Sequence, residues 1–268
     1  MNRILHIFGM TFLLCLAAGI PLAAQEQPRL PDKVAHAEPL YYDLVRDLGA
    51  RKGEKEINVG AGFKNAGAFK EHALLAEFEF APVHRLGLEA EADISLFGGP
   101  HTAERLPANR LECLRFSAQY SFWVSDRYRA TMAVGYTQIL KLTDFRSYGK
   151  ERWVREVISS PFFVAAKRWG THWHTMMYVS PLVACAGHKG TATEWLVNAA
   201  LHYTLSHSGH FIGMEVSVES REGTWGVTLR PQVKIRLSHR LAAGLVTGIP
   251  LQVPGEGFSS FARLICEL

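Results

Sequence analysis

Beyond residue 24 this chain of 268 residues has no apolar run long enough to cross a bilayer as a helix, which excludes a helical-bundle membrane protein. Charge is also scarce. Charged residues make up 20% of the chain and the net charge is +4, too little of one sign to suggest a nucleic-acid partner. Cysteine is rarer still: Cys15 lies in the apolar N-terminus, and Cys113, Cys185 and Cys266 are an odd set without C-x-x-C spacing. Neither a disulfide framework nor a zinc site is indicated. No G-x-S-x-G nucleophile motif occurs. What is plentiful is apolar side chain, 48% of residues, at a mean hydropathy near zero. That excludes a disordered chain and leaves a soluble β domain or a transmembrane β-barrel that hides its hydrophobicity by alternation.

Arg3 is the sole charge before Glu26, and the stretch from Ile4 to Leu22 is apolar and ends in Ala23 and Ala24. This predicts a secretory signal peptide over residues 1–24, cleaved after Ala24. The rival is an uncleaved anchor, which Gly9, Gly19 and Pro21 interrupt; Leu14 before Cys15 is wrong for lipidation.

From about residue 56 the sequence alternates with period two. Leu86, Leu88, Ala90, Ala92, Ile94 and Leu96 alternate with Gly87, Glu89, Glu91, Asp93 and Ser95. A helix would smear both classes around its circumference, so a strand between two solvents is the physical reading. Residues 225–237 repeat the design with Arg230, Lys234 and Arg236 on the polar face, and residues 114–122 with Arg115. The pattern predicts about twelve strands, at 56–63, 71–81, 86–97, 111–124, 128–140, 157–169, 173–186, 194–205, 211–220, 224–237, 241–249 and 258–267. Connections alternate in length. Those at 82–85, 125–127, 170–172, 206–210 and 238–240 are tight, and those at 98–109, 141–156, 187–193 and 250–257 are longer. The connections at 64–70 and 221–223 also fall on the long side, the second against the trend. Phe97, Trp123, Tyr128, Trp169, Trp173, Trp195, Phe211 and Trp225 sit near strand ends, as aromatic girdles at two membrane interfaces would. The seventh strand is the weak one: Met176, Met177, Tyr178, Val179, Leu182 and Val183 make both faces apolar, and Pro181 removes a ladder donor, so a bulge or contact with a plug is required.

The opening His36-Ala37-Glu38-Pro39-Leu40, followed by Asp47-Leu48-Gly49-Ala50-Arg51-Lys52-Gly53-Glu54-Lys55-Glu56, resembles a family of Gram-negative outer-membrane β-barrel proteins. The similarity runs on through residues 77–82, 161–170, 228–232 and 246–250, nearly the whole mature chain. The resemblance implies a barrel and an outer-membrane location, and carries no catalytic residue with it. Where such barrels often end on an aromatic residue, this chain ends on Leu268.

Several residue groups invite a functional reading. Glu77, Glu79, Glu89, Glu91 and Asp93 would line the lumen from two adjacent strands, either as a cation-selective patch or as a ladder neutralised by the lumenal bases Arg115, Arg230, Lys234 and Arg236. His172 and His174 share a strand face but lack a third ligand at recognisable spacing, and His207 and His210 read as interfacial polar residues, so no metal is expected. Ser180, Asn198, His202 and His188 could be assembled into an outer-membrane hydrolase, but twelve histidines make such constellations expected by chance. Residues 39–49 carry Leu40, Tyr41, Leu44, Val45 and Leu48 on one helical stripe with Asp43, Arg46 and Asp47 opposite, bounded by Glu38, Pro39 and Gly49. This predicts a short helix, either a plug or gate in the barrel mouth, with Leu40, Tyr41, Leu44, Leu48 and Arg51 as its contacts, or a helix across the periplasmic rim.

The expectation is thus an all-β chain: a signal peptide (1–24), an N-terminal periplasmic segment (25–55) and an antiparallel up-and-down transmembrane β-barrel of about twelve strands (56–268). It would be a channel or transporter for small polar solutes, needing no cofactor and meeting the lipid bilayer and the outer-membrane assembly machinery. The competing role is a closed structural barrel whose extracellular loops bind a partner.

Overall fold

The computed structural model describes residues 30–42, 44–65, 69–99, 106–185, 191–205, 209–221, 223–251 and 257–268. The segment 1–24 expected to be a signal peptide, Asp43, His188, His207 and parts of several connections lie outside these. Twelve strands follow one another: β1 (Lys55–Asn65), β2 (Lys70–Val83), β3 (Leu86–Gly98), β4 (Arg110–Ser125), β5 (Ala130–Leu142), β6 (Val154–Trp169), β7 (Trp173–Cys185), β8 (Thr191–Leu205), β9 (His210–Arg221), β10 (Thr224–Arg236), β11 (Leu241–Pro250) and β12 (Ser259–Glu267). Each pairs antiparallel with its neighbours in sequence, and β12 closes on β1 from Glu56 opposite Glu267 to Lys64 opposite Ser259. Closure leaves no free sheet edge, the only way strands can cross a bilayer with their backbone polar groups satisfied.

Alternation assigns the two faces. Leu74, Phe78, Phe116, Tyr120, Val134, Met177, Leu201, Ile212, Leu245 and Leu264 are exposed on the outside, while Asn58, Glu77, Glu79, Gln119, Asn198, Glu215 and Arg263 are buried within. An apolar exterior around a polar interior is the arrangement lipid imposes. Tyr128, Trp169 and Trp173 stand exposed at the end carrying the tight turns, and Trp195 and Trp225 at the long-loop end. Phe211 departs from the expected girdle. It shares the inward parity of Glu215 and is buried against His202, with ring centroids 4.7 Å apart.

The seventh strand is accommodated by its neighbour. The β6–β7 register puts Pro161 across from Pro181, and the ladder is interrupted from Ser159/Val183 to Phe163/Val179. Neither proline has an N–H to give. Ser180 Oγ lies 2.9 Å from the Pro161 carbonyl oxygen and 2.6 Å from Ser160 Oγ, filling the hole with side-chain hydrogen bonds.

Residues 31–54 run inside the barrel, entering and leaving at the tight-turn end, where the Arg85 N–H donates to the Ala50 carbonyl at 2.6 Å. Among the described residues the helix predicted over 39–49 does not form; bends and turns replace it. The reason is competition for backbone hydrogen bonds. The walls offer acceptors for N–H groups that a helix would have used internally, and apolar sockets hold Leu40 and Leu44 at positions no single helical stripe would reach.

Candidate functional site

The inner wall of the tight-turn half is apolar on two sides, contrary to the expectation of a polar lumen throughout. On β5–β8, Ala133, Phe162, Val164, Ala166, Met176 and Ala200 face inward and receive Leu44, Val45 and Leu48. On β9, β11 and β12, Phe211, Ala242, Val246 and Ile265 receive Ala37 and Leu40. Leu40, Leu44 and Leu48 are each no more than 2% exposed. Burying such side chains contributes about 1.5–3 kcal/mol apiece. Two glycines make the fit: a Cβ on Gly87 would come within 2.5 Å of Arg46 Cβ, and one on Gly244 within 2.7 Å of Leu40 Cδ2.

Polar contacts hold the segment at its tip and at its base. At the tip the fully buried Glu215 carboxylate accepts the N–H groups of Leu40 (3.0 Å), Tyr41 (3.2 Å) and Tyr42 (3.4 Å). Asn198 (3.0 Å) and Gln232 (2.7 Å) donate to the same carboxylate. The Tyr42 hydroxyl donates to Glu219 at 2.6 Å, and burial together with that carboxylate raises its pKa well above the ordinary value. Arg230 lies 3.3 Å over the Tyr41 ring. At the base Lys33 Nζ sits 2.8 Å from both Asp47 and Glu54, tying the entering limb to the returning one. Burial works against the Lys33 charge, but the two carboxylates outweigh it and raise its pKa. Burial likewise works against the Asp47 charge, and Arg46 and Lys33 hold that carboxyl well below its usual range. Arg46 also reaches Glu56 (2.9 Å) and Glu79 (3.2 Å) on the wall.

Histidines line one side of the segment. His36 Nε2 is 3.0 Å from Thr131 Oγ1, its ring meets that of His174 edge-on at 6.3 Å, and His174 Nδ1 accepts the Ala37 N–H at 3.1 Å. Burial, then His174 and Arg168, push His36 down to about 4.

Above the tip a cavity of about 800 Å³ remains toward the long loops, floored by Tyr41, Tyr42 and Val45. Four of the acidic residues singled out from the sequence, Glu77, Glu89, Glu91 and Asp93, line it, and Glu79 lies below them beside Arg46; Glu77 stands opposite Glu91, and Glu79 opposite Glu89. Each has a partner. Glu77 is met by Asn58 (2.9 Å) and Arg263 (3.3 Å), Glu79 by Asn58 (2.8 Å) and Arg46, and Glu89 by Ser117 (2.9 Å). Arg115 bridges Glu91 (2.6 Å) and Asp93 (3.0 Å). Of the other bases, Arg230 donates to Ser217 at 3.0 Å beside the floor, and Lys234 faces inward between Phe211 and Gly244. Arg236 stands apart at the rim, 3.2 Å from Glu267. Arg51 lies at the segment's base, its carbonyl accepting the Glu54 N–H.

Of the residues of the imagined hydrolase, His188 lies outside the described residues and Ser180 and His202 do not meet. Ser180 is opposite Leu196 and His202 opposite His174, six residues apart along the ladder and therefore roughly 20 Å; Asn198 is committed to Glu215. His172 stacks on Tyr203 and bonds the Thr204 carbonyl, away from His174's lumenal contacts. Glu215, Gln232, Lys33, Glu56 and Arg263 were not singled out from the sequence, and Asn198 was singled out for a different role. Their inward parity was readable in Glu215, Ser217 and Glu219 against Met214, Val216 and Val218, but nothing local marks which inward residue meets the segment.

A family model described as HAEPLYID-like matches residues 32–267, and the letters of that description fit His36–Asp43 at seven of eight positions, Tyr42 being the exception. Residues 36–42 of that stretch are the limb and tip of the lumenal segment. No curated protein matches the sequence. Among solved structures, an outer-membrane channel from Pseudomonas putida F1 superposes with a TM-score of 0.60 at 12% identity, covering 86% of this chain and 99% of that one. The KdgM porin gives 0.55 at 11% identity (80% and 99% covered), and the NanC porin 0.55 at 8% (79% and 100%). At such identities the likeness is one of fold: a porin-like barrel.

Proposed function

The chain belongs to the HAEPLYID-like family, and from the filled half of its lumen we propose that it is an outer-membrane channel for small polar solutes held shut by its own N-terminal segment. The observation that carries this reading is the burial of Leu40, Leu44 and Leu48 within the barrel, beneath a charge-lined cavity of about 800 Å³. A purely structural barrel has no need of a separable insert with its own sockets and latch, whereas a gated pore does. The proposal includes cleavage of residues 1–24 on export, tight turns toward the periplasm and long loops outside, which supports entry of the segment from the periplasmic side. Passage of solutes fits the lumen chemistry, since carboxylates and guanidinium groups paired along the wall present hydrogen-bonding partners to polar molecules and exclude apolar ones.

The test is ion conductance in planar bilayers, comparing the refolded mature protein with a form lacking residues 35–51. The intact protein should open briefly and rarely, and the deletion should conduct steadily. Equal conductance of the two would remove the gate. An intact protein that never opens at any voltage, beside a conducting deletion, would mean a closed barrel whose role lies with its loops.

A further inference from the structure

The outer wall carries a feature that passage through the lumen does not use. Lys167 on β6 projects outward, in register with Ala130 on one side and Thr175 on the other. Its neighbours one row toward the membrane centre are Met132, Ala165 and Met177. A charge among such residues faces lipid, and it is destabilising there unless it lies close to the interface or meets an opposite charge. No carboxylate pairs with it among the described residues; Nζ lies 4.6 Å over the Trp169 ring and 3.4 Å from the Tyr128 carbonyl oxygen.

The wall is also hollowed at this place. Ala130 and Ala165 form the floor of an external cleft of about 470 Å³, between Trp123 and Tyr128, whose rings stack 6.3 Å apart, and Trp169 across the sheet. The aromatic residues mark the depth at which headgroups begin. Beside it stands the exposed Arg127, over the Tyr128 ring at 5.5 Å, and in the same turn the exposed Arg129 donates to the Gly170 carbonyl. In the described tight turns Arg85, Arg127, Arg129 and Arg240 are opposed by Asp126 alone.

We propose that this cleft binds one anionic glycerophospholipid of the leaflet at the tight-turn end. Its phosphate would sit at Lys167, beside Arg127, and an acyl chain would lie over Ala130 and Ala165. The inference rests on the transmembrane reading of the barrel and not on whether the lumen conducts. Small floor residues give the chain a groove, and a lysine without a carboxylate partner gives the phosphate one.

Native mass spectrometry of the full refolded chain tests this, with dioleoylphosphatidylglycerol, dioleoylphosphatidylcholine and lipid A supplied in turn. One phosphatidylglycerol should be retained per barrel in preference to phosphatidylcholine. Lys167→Gln should weaken that retention about fivefold, and Ala165→Trp, which fills the groove, should abolish it. Leu245→Trp on another part of the outer wall should change nothing, and folding of each variant is checked by heat-modifiable gel mobility. Equal retention of the two phospholipids, preference for lipid A, or retention that survives both cleft variants in folded barrels would overturn the proposal.

Discussion

Glu215 shows how much a single carboxylate can organise. It meets three consecutive backbone N–H groups that have no helical partner, in a position shielded from water. Replacing it by alanine leaves the Tyr41 and Tyr42 donors unsatisfied, while Leu40 keeps Gln232 Oε1 at 2.8 Å, at about 1–3 kcal/mol for each group left without a partner. Glu215→Ala should therefore release the tip while the barrel stays folded, seen as faster hydrogen exchange of residues 38–46 with strand exchange unchanged. His36 supplies the second residue-scale expectation. Docked, it titrates at about 4, below the 6.5 of a free imidazole, because burial, His174 and Arg168 oppose its charge; Thr131 offers only a hydroxyl and Asp47 only a partial counterweight. The undocked segment takes up the proton first as pH falls. Docking is thus at full strength above pH 6.5 and weakens steadily down to about pH 4. The open fraction in bilayers should rise between pH 7.5 and 5, and His36→Asn should flatten that rise; an unchanged pH profile in the variant would assign it to other groups.

At the scale of the element, the lumenal segment and the strands are two different kinds of structure. Strand ends lie within three residues of where alternation alone predicts them, the widest gaps being at the starts of β6 and β8. Period-two patterning over lipid and lumen is a local signal, repeated at every residue, so it survives translation into structure. The segment at 31–54 follows no period. Its leucine spacing reads as a helical stripe, yet each leucine is placed by a socket built from distant strands: Leu44 and Leu48 by β5–β8, Leu40 by β9, β11 and β12. The fit is close where glycine stands. A Gly87→Ala substitution puts a methyl 2.5 Å from Arg46 Cβ and should cost about 1–3 kcal/mol of docking. Gly98→Ala, with open space around it, should be neutral, and the same exchange experiment separates the two.

For the whole molecule, the proposed passage through the lumen would depend on the balance of charge inside the barrel. Carboxylates stand directly opposite one another on β2 and β3, and like charges in that position are destabilising unless bases reach them. Arg115 from β4 and Arg263 from β12 do so from either side, and Arg46 reaches in from the segment. The ladder is consequently neutralised by more than strand bases, and withdrawing the segment exposes Glu79 and Glu56 as well as space. In the barrel lacking residues 35–51, Arg115→Gln should shift the reversal potential in a potassium chloride gradient toward cations. An unshifted potential would place the selectivity elsewhere in the lumen.

The sequence by itself determined the number and order of the strands, the apolar outer face and the clustering of Glu77, Glu79, Glu89, Glu91 and Asp93. All follow from alternation, which is set residue by residue by the two solvents a membrane barrel must satisfy. Tertiary structure alone decided the path of residues 31–54 and the partners Glu215, Lys33 and Arg263, because these depend on which inward positions of strands far apart in the chain converge on one axis once β12 has closed on β1.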